Sequence, residues 1–433
     1  MNLTSPQHLT SKRPRLLTVL DIGSTKVTCI IARLRPTSDV KYLHGRTHKM
    51  EVLGFGVQQS HGIKSGVVVD MAAAEQSIRL AVDAAERRSG LVVESLIVNF
   101  SSGRIKSLTT FGSVHLGGRE VRLRDIRGAL AVASRTAFDL DRPIVHSMPV
   151  SFTLDGEKGM SYPVGMVGED LGVDVHVLTA DSVALRNLEL CVNRAHLSVE
   201  TMVATPLASG LAVLSDDEAR LGAACIDLGG GTTTFSVFAE GRFVHADAIA
   251  IGGNNVTLDI ARGFSTPPEA AERLKVMYGS SLSNSSDDSH MITIEPISGE
   301  YQDTQYPRAL LTRIVRARVE ETLELVRDRL NRSGYGHIIG KRVVLTGGGC
   351  QLTGIAETAR RILGRNVRCG RPLGVSGLPD IGRTAAFSAS VGLLIYPQST
   401  GFEEQSVYAS QAEPFLHQAG PLRRVGQWLR ESF

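Results

Sequence analysis

Two apolar, β-branched runs fill residues 16–32, LLTVLDIGSTKVTCIIA, and meet at Asp-Ile-Gly-Ser-Thr. Such runs on either side of a glycine-containing break predict strand, tight turn, strand. The pattern returns in residues 222–241, GAACIDLGGGTTTFSVFAEG, with Asp227 standing where Asp21 stood. A hairpin repeated so far along the chain predicts two related domains facing each other. A third apolar run, residues 343–346, leads through Gly347, Gly348 and Gly349 into an amphipathic stretch, which predicts a buried strand and then a helix.

Other segments follow the same reading. Gly252 and Gly253 are expected to close a strand and residues 254–263 to form a helix. A second helix places Pro267 and Pro268 in its first turn, where a missing N–H does no harm. Within it Glu272 and Lys275 are three apart, hence on one face; spacing alone allows a surface ion pair. A strand at 95–100, a helix at 123–137 and strands around 145–154 predict a compact α+β unit within 91–174. Its His115 and His146 have no partner at metal-ligand spacing. Residues 279–289, GSSLSNSSDDS, read as disorder-prone, and 309–331 as a long helix of alternating charge.

The last thirteen residues, PLRRVGQWLRESF, hold the only tryptophan. On a wheel of about 100° per residue, Leu422, Val425, Trp428, Leu429 and Phe433 share one side, and Arg423, Arg424, Gln427, Arg430 and Glu431 the other. A helix docked on its own domain would show this pattern. So would a segment lying in an anionic bilayer interface, and the polar linker at 398–420 favours that reading.

Composition narrows the classes. A chain of 433 residues, 42% hydrophobic and 21% charged, is too long for one core. A net charge of +3 argues against a nucleic-acid binder. The five cysteines form no Cys-x-x-Cys pair, and each sits in or near an apolar run, which suggests buried thiols in a reducing compartment. No stretch has signal-peptide or membrane-spanning character, so a cytoplasmic protein is expected.

The glycine turns make chemical sense as phosphate cradles. Gly23, Gly229, Gly230 and Gly231 let successive N–H groups point into one concavity, and Ser24, Thr25, Thr232 and Thr233 add hydroxyl donors. Asp21 and Asp227 would repel phosphate directly, so their role is to hold Mg²⁺ through water. Neither a P-loop nor a Gly-x-Gly-x-x-Gly fingerprint occurs.

In this order, DIGSTK, DLGGGTTTF and VVLTGGG resemble the two phosphate motifs and the adenosine motif of the actin, sugar-kinase and heat-shock ATPase superfamily. The resemblance implies a two-lobed α/β actin-like fold that clamps ATP and Mg²⁺. It implies nucleotide contacts from Gly23, Ser24, Thr25, Lys26, Gly229, Gly230, Gly231, Thr232, Thr233, Gly252, Gly347, Gly348 and Gly349, with Glu272 and Lys275 on ribose and adenine. From end to end the chain is similar to the FtsA family, actin relatives that tie the FtsZ division ring to the membrane. That likeness includes RPLGVSGL (371–378) and AFSASVGLLIY (386–396); residues 1–12 and 35–50 depart from it as a tail and a loop extension.

The family implies subdomain 1A (1–90, continued by 175–208 and about 371–397), an inserted 1C (91–174), 2A (209–275, continued by 341–370) and 2B (276–340). It implies docking of the FtsZ C-terminal peptide on 2B, self-association into filaments and contacts with other divisome proteins. It also implies an amphipathic membrane-targeting helix at 421–433 on the cytoplasmic side of the inner membrane. ATP turnover is expected to be slow at most. The rivals are a sugar or acid kinase of the superfamily, which needs a catalytic carboxylate over a substrate pocket, and a chaperone-like ATPase, which needs a peptide-binding domain.

Overall fold

The structure, a computed structural model, describes residues 14–36, 48–101, 104–138, 142–160, 162–296 and 304–399. The first lobe starts with β1 (Arg15–Ile22), β2 (Lys26–Pro36) and β3 (His48–Gln59), a ribbon of β4 (Ile63–Lys64) and β5 (Val67–Val68), then α1 (Met71–Ser89) and β6 (Ser95–Phe100). An insert follows: β7 (Lys106–Glu120), α2 (Leu123–Phe138), β8 (Ile144–Leu154), β9 (Glu157–Met160) and β10 (Val167–Thr179). The chain then returns through α3 (Ser182–Arg194), β11 (Ser198–Ala204) and α4 (Thr205–Val213).

The second lobe holds α5 (Asp216–Leu221), β12 (Ala223–Leu228), β13 (Thr233–Ala239), β14 (Arg242–Ile249), α6 (Gly253–Phe264) and α7 (Pro268–Tyr278). A ribbon of β15 (Met291–Ile294) and β16 (Thr304–Pro307) precedes α8 (Arg308–Arg332), β17 (Arg342–Thr346), α9 (Ile355–Leu363) and β18 (Asn366–Cys369). Finally β19 (Val375–Ser376) and α10 (Ser388–Ser399) rejoin the first lobe.

The repeat read from two hairpins extends to whole sheets. In the first lobe β11, β6 and β1 run parallel, and β2 and β3 continue antiparallel. In the second, β18, β17 and β12 run parallel, and β13 and β14 continue antiparallel. The five-strand order is the same in both. Helix α4, TPLASGLAV, is buried along almost its whole length, as a helix apolar all round must be. It packs on α10 and on β12, β13 and β14, so it joins the lobes.

The insert has its own core. Its sheet, in the order β7-β10-β8-β9, is covered by α2, and Ile126, Leu130, Phe152 and Val173 are buried between them. Asp125 anchors the start of α2 by accepting from Arg119 Nη1 and Nη2 at 2.6 and 2.7 Å and from the Arg122 N–H at 2.9 Å. His115 is exposed beside Asp170, 2.9 Å away, whereas His146 is buried and accepts from the Ala204 N–H at 2.9 Å.

Several local expectations need correction. Gly252 and Gly253 do not close a strand: β14 ends at Ile249, and Gly252 is the residue before α6. The polar run 279–289 is not loose, because its side chains find remote partners. Ser281 donates to the Thr353 carbonyl and accepts from Thr358, while Asp287 accepts from Thr312 and pairs with Arg308. Cys369 is exposed, unlike Cys29, Cys191, Cys225 and Cys350, because it ends an edge strand. The charges of α8 are paired: Arg316 with Glu320 one turn on, and Arg318 with Glu321 and with Asp259 of α6. Among the described residues no helix is long and apolar enough to cross a membrane. The expected linker and terminal helix lie outside the described residues, save the first two linker positions, 398 and 399, as do residues 1–13 and 37–47.

Candidate functional site

Each hairpin makes the same turn at the same place. The Gly23 N–H donates to the Lys26 carbonyl at 3.0 Å, and the Gly229 N–H to the Thr232 carbonyl at 3.0 Å. Asp21 faces Thr28 across the first ladder, and Asp227 faces Thr234 across the second. The two turns also touch. A Cβ on Gly230 would fall 1.8 Å from Thr25 Oγ1, and one on Gly231 2.4 Å from Ser24 Oγ, so only glycine lets the lobes come this close.

The third turn differs from its expectation. Gly347, Gly348 and Gly349 do not sit at the start of α9; a 3₁₀ turn, Gly348–Gln351, intervenes, and α9 begins only at Ile355. The detour follows from Gly347, whose φ of +82° bends the chain directly over Asp227: a Cβ there would lie 2.2 Å from Asp227 Oδ1. The glycine run thus lies apart from the α9 N-terminus. It brings bare backbone against the carboxylate and the Leu228 peptide.

Both carboxylates are nearly closed off, Asp21 being 8% and Asp227 7% exposed. Asp21 accepts from Asn99 Nδ2 and from Ser390 Oγ, each at 2.6 Å, and Asp227 accepts from Ser209 Oγ. Ser209 on α4, the helix that joins the lobes, holds the second lobe's aspartate; Ser390 on α10, back in the first lobe, holds the first lobe's. Sequence reading missed Asn99, Ser209 and Ser390. For the serines the available signal was a hydroxyl inside a largely apolar, largely buried helix.

Burial pushes the Asp21 carboxyl above its usual range against the pull of Lys26 and Ser390. It pushes Asp227 up to about 6, with Ser209 opposing and the negative charge of Asp21 adding. Lys26 itself points its ammonium over the Phe387 ring, 4.8 Å from the centroid. Two buried carboxylates with so little compensation suit a hard divalent cation. Among the described residues no cluster of three or more His, Cys, Asp or Glu offers a metal cage. The donor set thus fits an ion that keeps much of its water, which is how Mg²⁺ is commonly held.

The far wall is built by α6 and α7. The Gly229 and Gly230 carbonyls accept from the Gly253 and Asn254 N–H groups at 2.9 and 2.7 Å, which pins the second turn to the start of α6. Lys275 Nζ lies 2.6 Å from Glu272, 2.9 Å from Thr257 Oγ1 and 3.2 Å from the Gly253 carbonyl. The glycine turns, both aspartates, Gly253, Asn254, Glu272 and Lys275 line one cavity of ≈ 460 Å³. Its lining includes Asp21, Gly23, Ser24, Thr25, Lys26, Asp227, Gly229, Gly230, Gly231, Thr232, Thr233, Gly252, Glu272, Lys275, Gly347, Gly348 and Gly349, that is, every position the sequence singled out for nucleotide or metal. The residues singled out for membrane contact, 422–433, lie outside the described residues.

Known structures share this architecture. A chain of the PilM-PilN type IV pilus biogenesis complex aligns with a TM-score of 0.58 at 16% identity, over 88% of this chain and 98% of that one. MreB5 of Spiroplasma citri bound to ADP aligns at 0.53 and 14%, over 89% and 96%. The fold is thus an actin-like two-lobed α/β fold with an inserted domain. Family models described as "Cell division protein FtsA" and "SHS2 domain inserted in FTSA" match residues 224–392 and 102–179. Cell division protein FtsA of Agrobacterium fabrum is 58% identical over 98% of this chain and 96% of its own length. The FtsA of Pseudomonas aeruginosa is 35% identical over 97% and 98%, and that of Escherichia coli 28% over 97% and 98%. The chain belongs to the FtsA family of cell division proteins.

Proposed function

We propose that this protein binds ATP with Mg²⁺ in the cleft between its lobes, assembles with copies of itself, and tethers the FtsZ ring to the cytoplasmic face of the inner membrane. The observation that carries the nucleotide reading is convergence: three glycine turns and two buried aspartates, scattered over the chain, line a single cavity. The turns offer N–H and hydroxyl groups to phosphates, and the apolar Val276, Val319 and Leu352 of the same lining suit a base. Mg²⁺, when bound, would neutralise phosphate charge; Asp21 and Asp227 orient its water, and Ser390 and Ser209 hold the carboxylates in place.

The remainder of the reading rests on family membership. In the FtsA scheme 1A and 2A carry the cleft, 1C is the inserted subdomain, and 2B, residues 276–340, receives the FtsZ C-terminal peptide. The amphipathic residues 421–433 bind anionic lipid. The nucleotide governs state more than it undergoes chemistry. Isothermal titration of ATP in the presence of Mg²⁺ tests the site: Asp227→Ala should weaken binding at least tenfold in a chain that still folds. Equal affinity in the variant would remove the metal assignment.

A further inference from the structure

Cys350 and Cys369 meet at the edge of the second sheet, beside the cavity. Cys350 follows Gly349 in the 3₁₀ turn, and Cys369 is the last residue of β18. β17 and β18 place Leu345 opposite Cys369, and Cys350 Sγ reaches back to that same Leu345 carbonyl at 3.5 Å. Cys369 Sγ lies 3.9 Å from the Cys350 carbonyl. The two sulfurs therefore flank one short piece of backbone. Their settings differ: Cys369 is exposed, whereas Cys350 is only 8% exposed.

Electrostatics separates the pair in the same sense. The neighbouring Cys350 thiol pulls Cys369 down to about 7; Arg360 and Arg368 help, against burial and Glu357. The same contact pushes Cys350 up. An accessible thiol with thiolate character beside a protected thiol is the arrangement of an attacking and a resolving cysteine.

The geometry points to a thiol oxidation site in which a hydroperoxide oxidises Cys369 and Cys350 resolves it to a Cys350–Cys369 disulfide. In the first step the Cys369 thiolate attacks the peroxide; an S–O bond forms, the O–O bond breaks, and the leaving alkoxide takes a proton to become an alcohol. In the second, Cys350 sulfur attacks the sulfenic sulfur; the S–S bond forms and hydroxide leaves, taking the Cys350 proton as water. Two thiols lose two electrons and the peroxide gains them. Gly349 and Gln351 on either side of Cys350 line the cavity, so the bond tethers that wall to β18.

The test uses the full reduced chain, hydrogen peroxide, and peptide mapping without reduction. The expected product is a Cys350–Cys369 linked peptide within one chain. Cys350→Ser should leave Cys369 as a sulfenic acid that a dimedone probe captures, and Cys369→Ser should leave Cys350 reduced. Alkylation gives a second readout in the absence of oxidant. At neutral pH a thiol near 7 has roughly 50-fold more thiolate than one near 9 but is roughly 10-fold less nucleophilic, so Cys369 should react roughly fivefold faster in the native chain than in the unfolded one. Linkage between two chains, sulfinic acid at Cys369 with Cys350 untouched, or equal alkylation rates in native and unfolded chain would each overturn the proposal.

Discussion

Replacing Gly347 by alanine perturbs the point where all parts of the site meet. The residue has φ +82° and ψ 171°, a region essentially reserved for glycine, and occupying it with a side chain costs about 1–3 kcal/mol. The new Cβ would also lie 2.2 Å from Asp227 Oδ1, 2.7 Å from the Leu228 carbonyl oxygen and 2.8 Å from its carbon. Two of those three atoms are backbone, which cannot swing aside, so overpacking adds about 1–3 kcal/mol. The sum is about 2–6 kcal/mol. Gly348 is the internal control: its φ is ordinary and a Cβ would meet only Ala386 Cβ, at 4.0 Å, so alanine there should stay within about 0.5 kcal/mol. Thermal unfolding of the two variants measures the contrast. At about 2–4 °C per kcal/mol for a domain-sized unit, Gly347→Ala should melt at least about 3 °C below Gly348→Ala. ATP titration should show the same order, since Asp227 must move to admit the methyl group. If the two variants melt together, the close passage of the third turn over Asp227 is wrong.

Further expectations follow from the same geometry and from the family reading. Asp227 has its pKa raised from 3.8 to about 6 by burial, so the folded state prefers the proton. Its contribution to stability is full below about pH 4 and is lost as pH rises through 6, which amounts to about 3 kcal/mol. Thermal unfolding in chelator across that window should show the fall, and Asp227→Asn should flatten it. Trp428→Glu places a charge on the apolar side of the terminal segment; co-sedimentation with anionic vesicles should collapse while the melting temperature is unchanged, whereas a helix docked on its own domain would lose stability instead.

The sequence made some of this legible because the information was local. A hairpin needs only two apolar runs and a glycine turn, and both copies were found with their aspartates. The strands at 95–100, around 145–154 and at 343–346 and the long α8 were visible for the same reason. The shared order of the two sheets was not, because β6 and β17 carry no common motif and pair with strands far along the chain. Ser390 escaped notice because its partner Asp21 is 369 residues away. The run 279–289 looked loose because Thr353, Thr358 and Arg308, which satisfy it, cannot be assigned to it from composition. The helix start after Gly349 was misplaced because a glycine run does not announce its dihedrals, and here φ of Gly347 turns the chain into a 3₁₀ turn first. Glu272 and Lys275 were placed on the nucleotide by family likeness alone; the structure puts them at the cavity wall, paired with each other.

The central claim is that three separate glycine turns form one Mg²⁺-nucleotide site, and hydrogen exchange of the full chain with and without ATP and Mg²⁺ tests it most directly. Backbone amides at Gly23, Ser24, Thr25 and Lys26, at Gly229, Gly230, Gly231, Thr232 and Thr233, and at Gly347, Gly348 and Gly349 should all slow together when Mg²⁺ and ATP are present. Omitting Mg²⁺ should weaken that protection. Protection of one turn without the other two, or none at any of them at saturating ATP, would contradict the account.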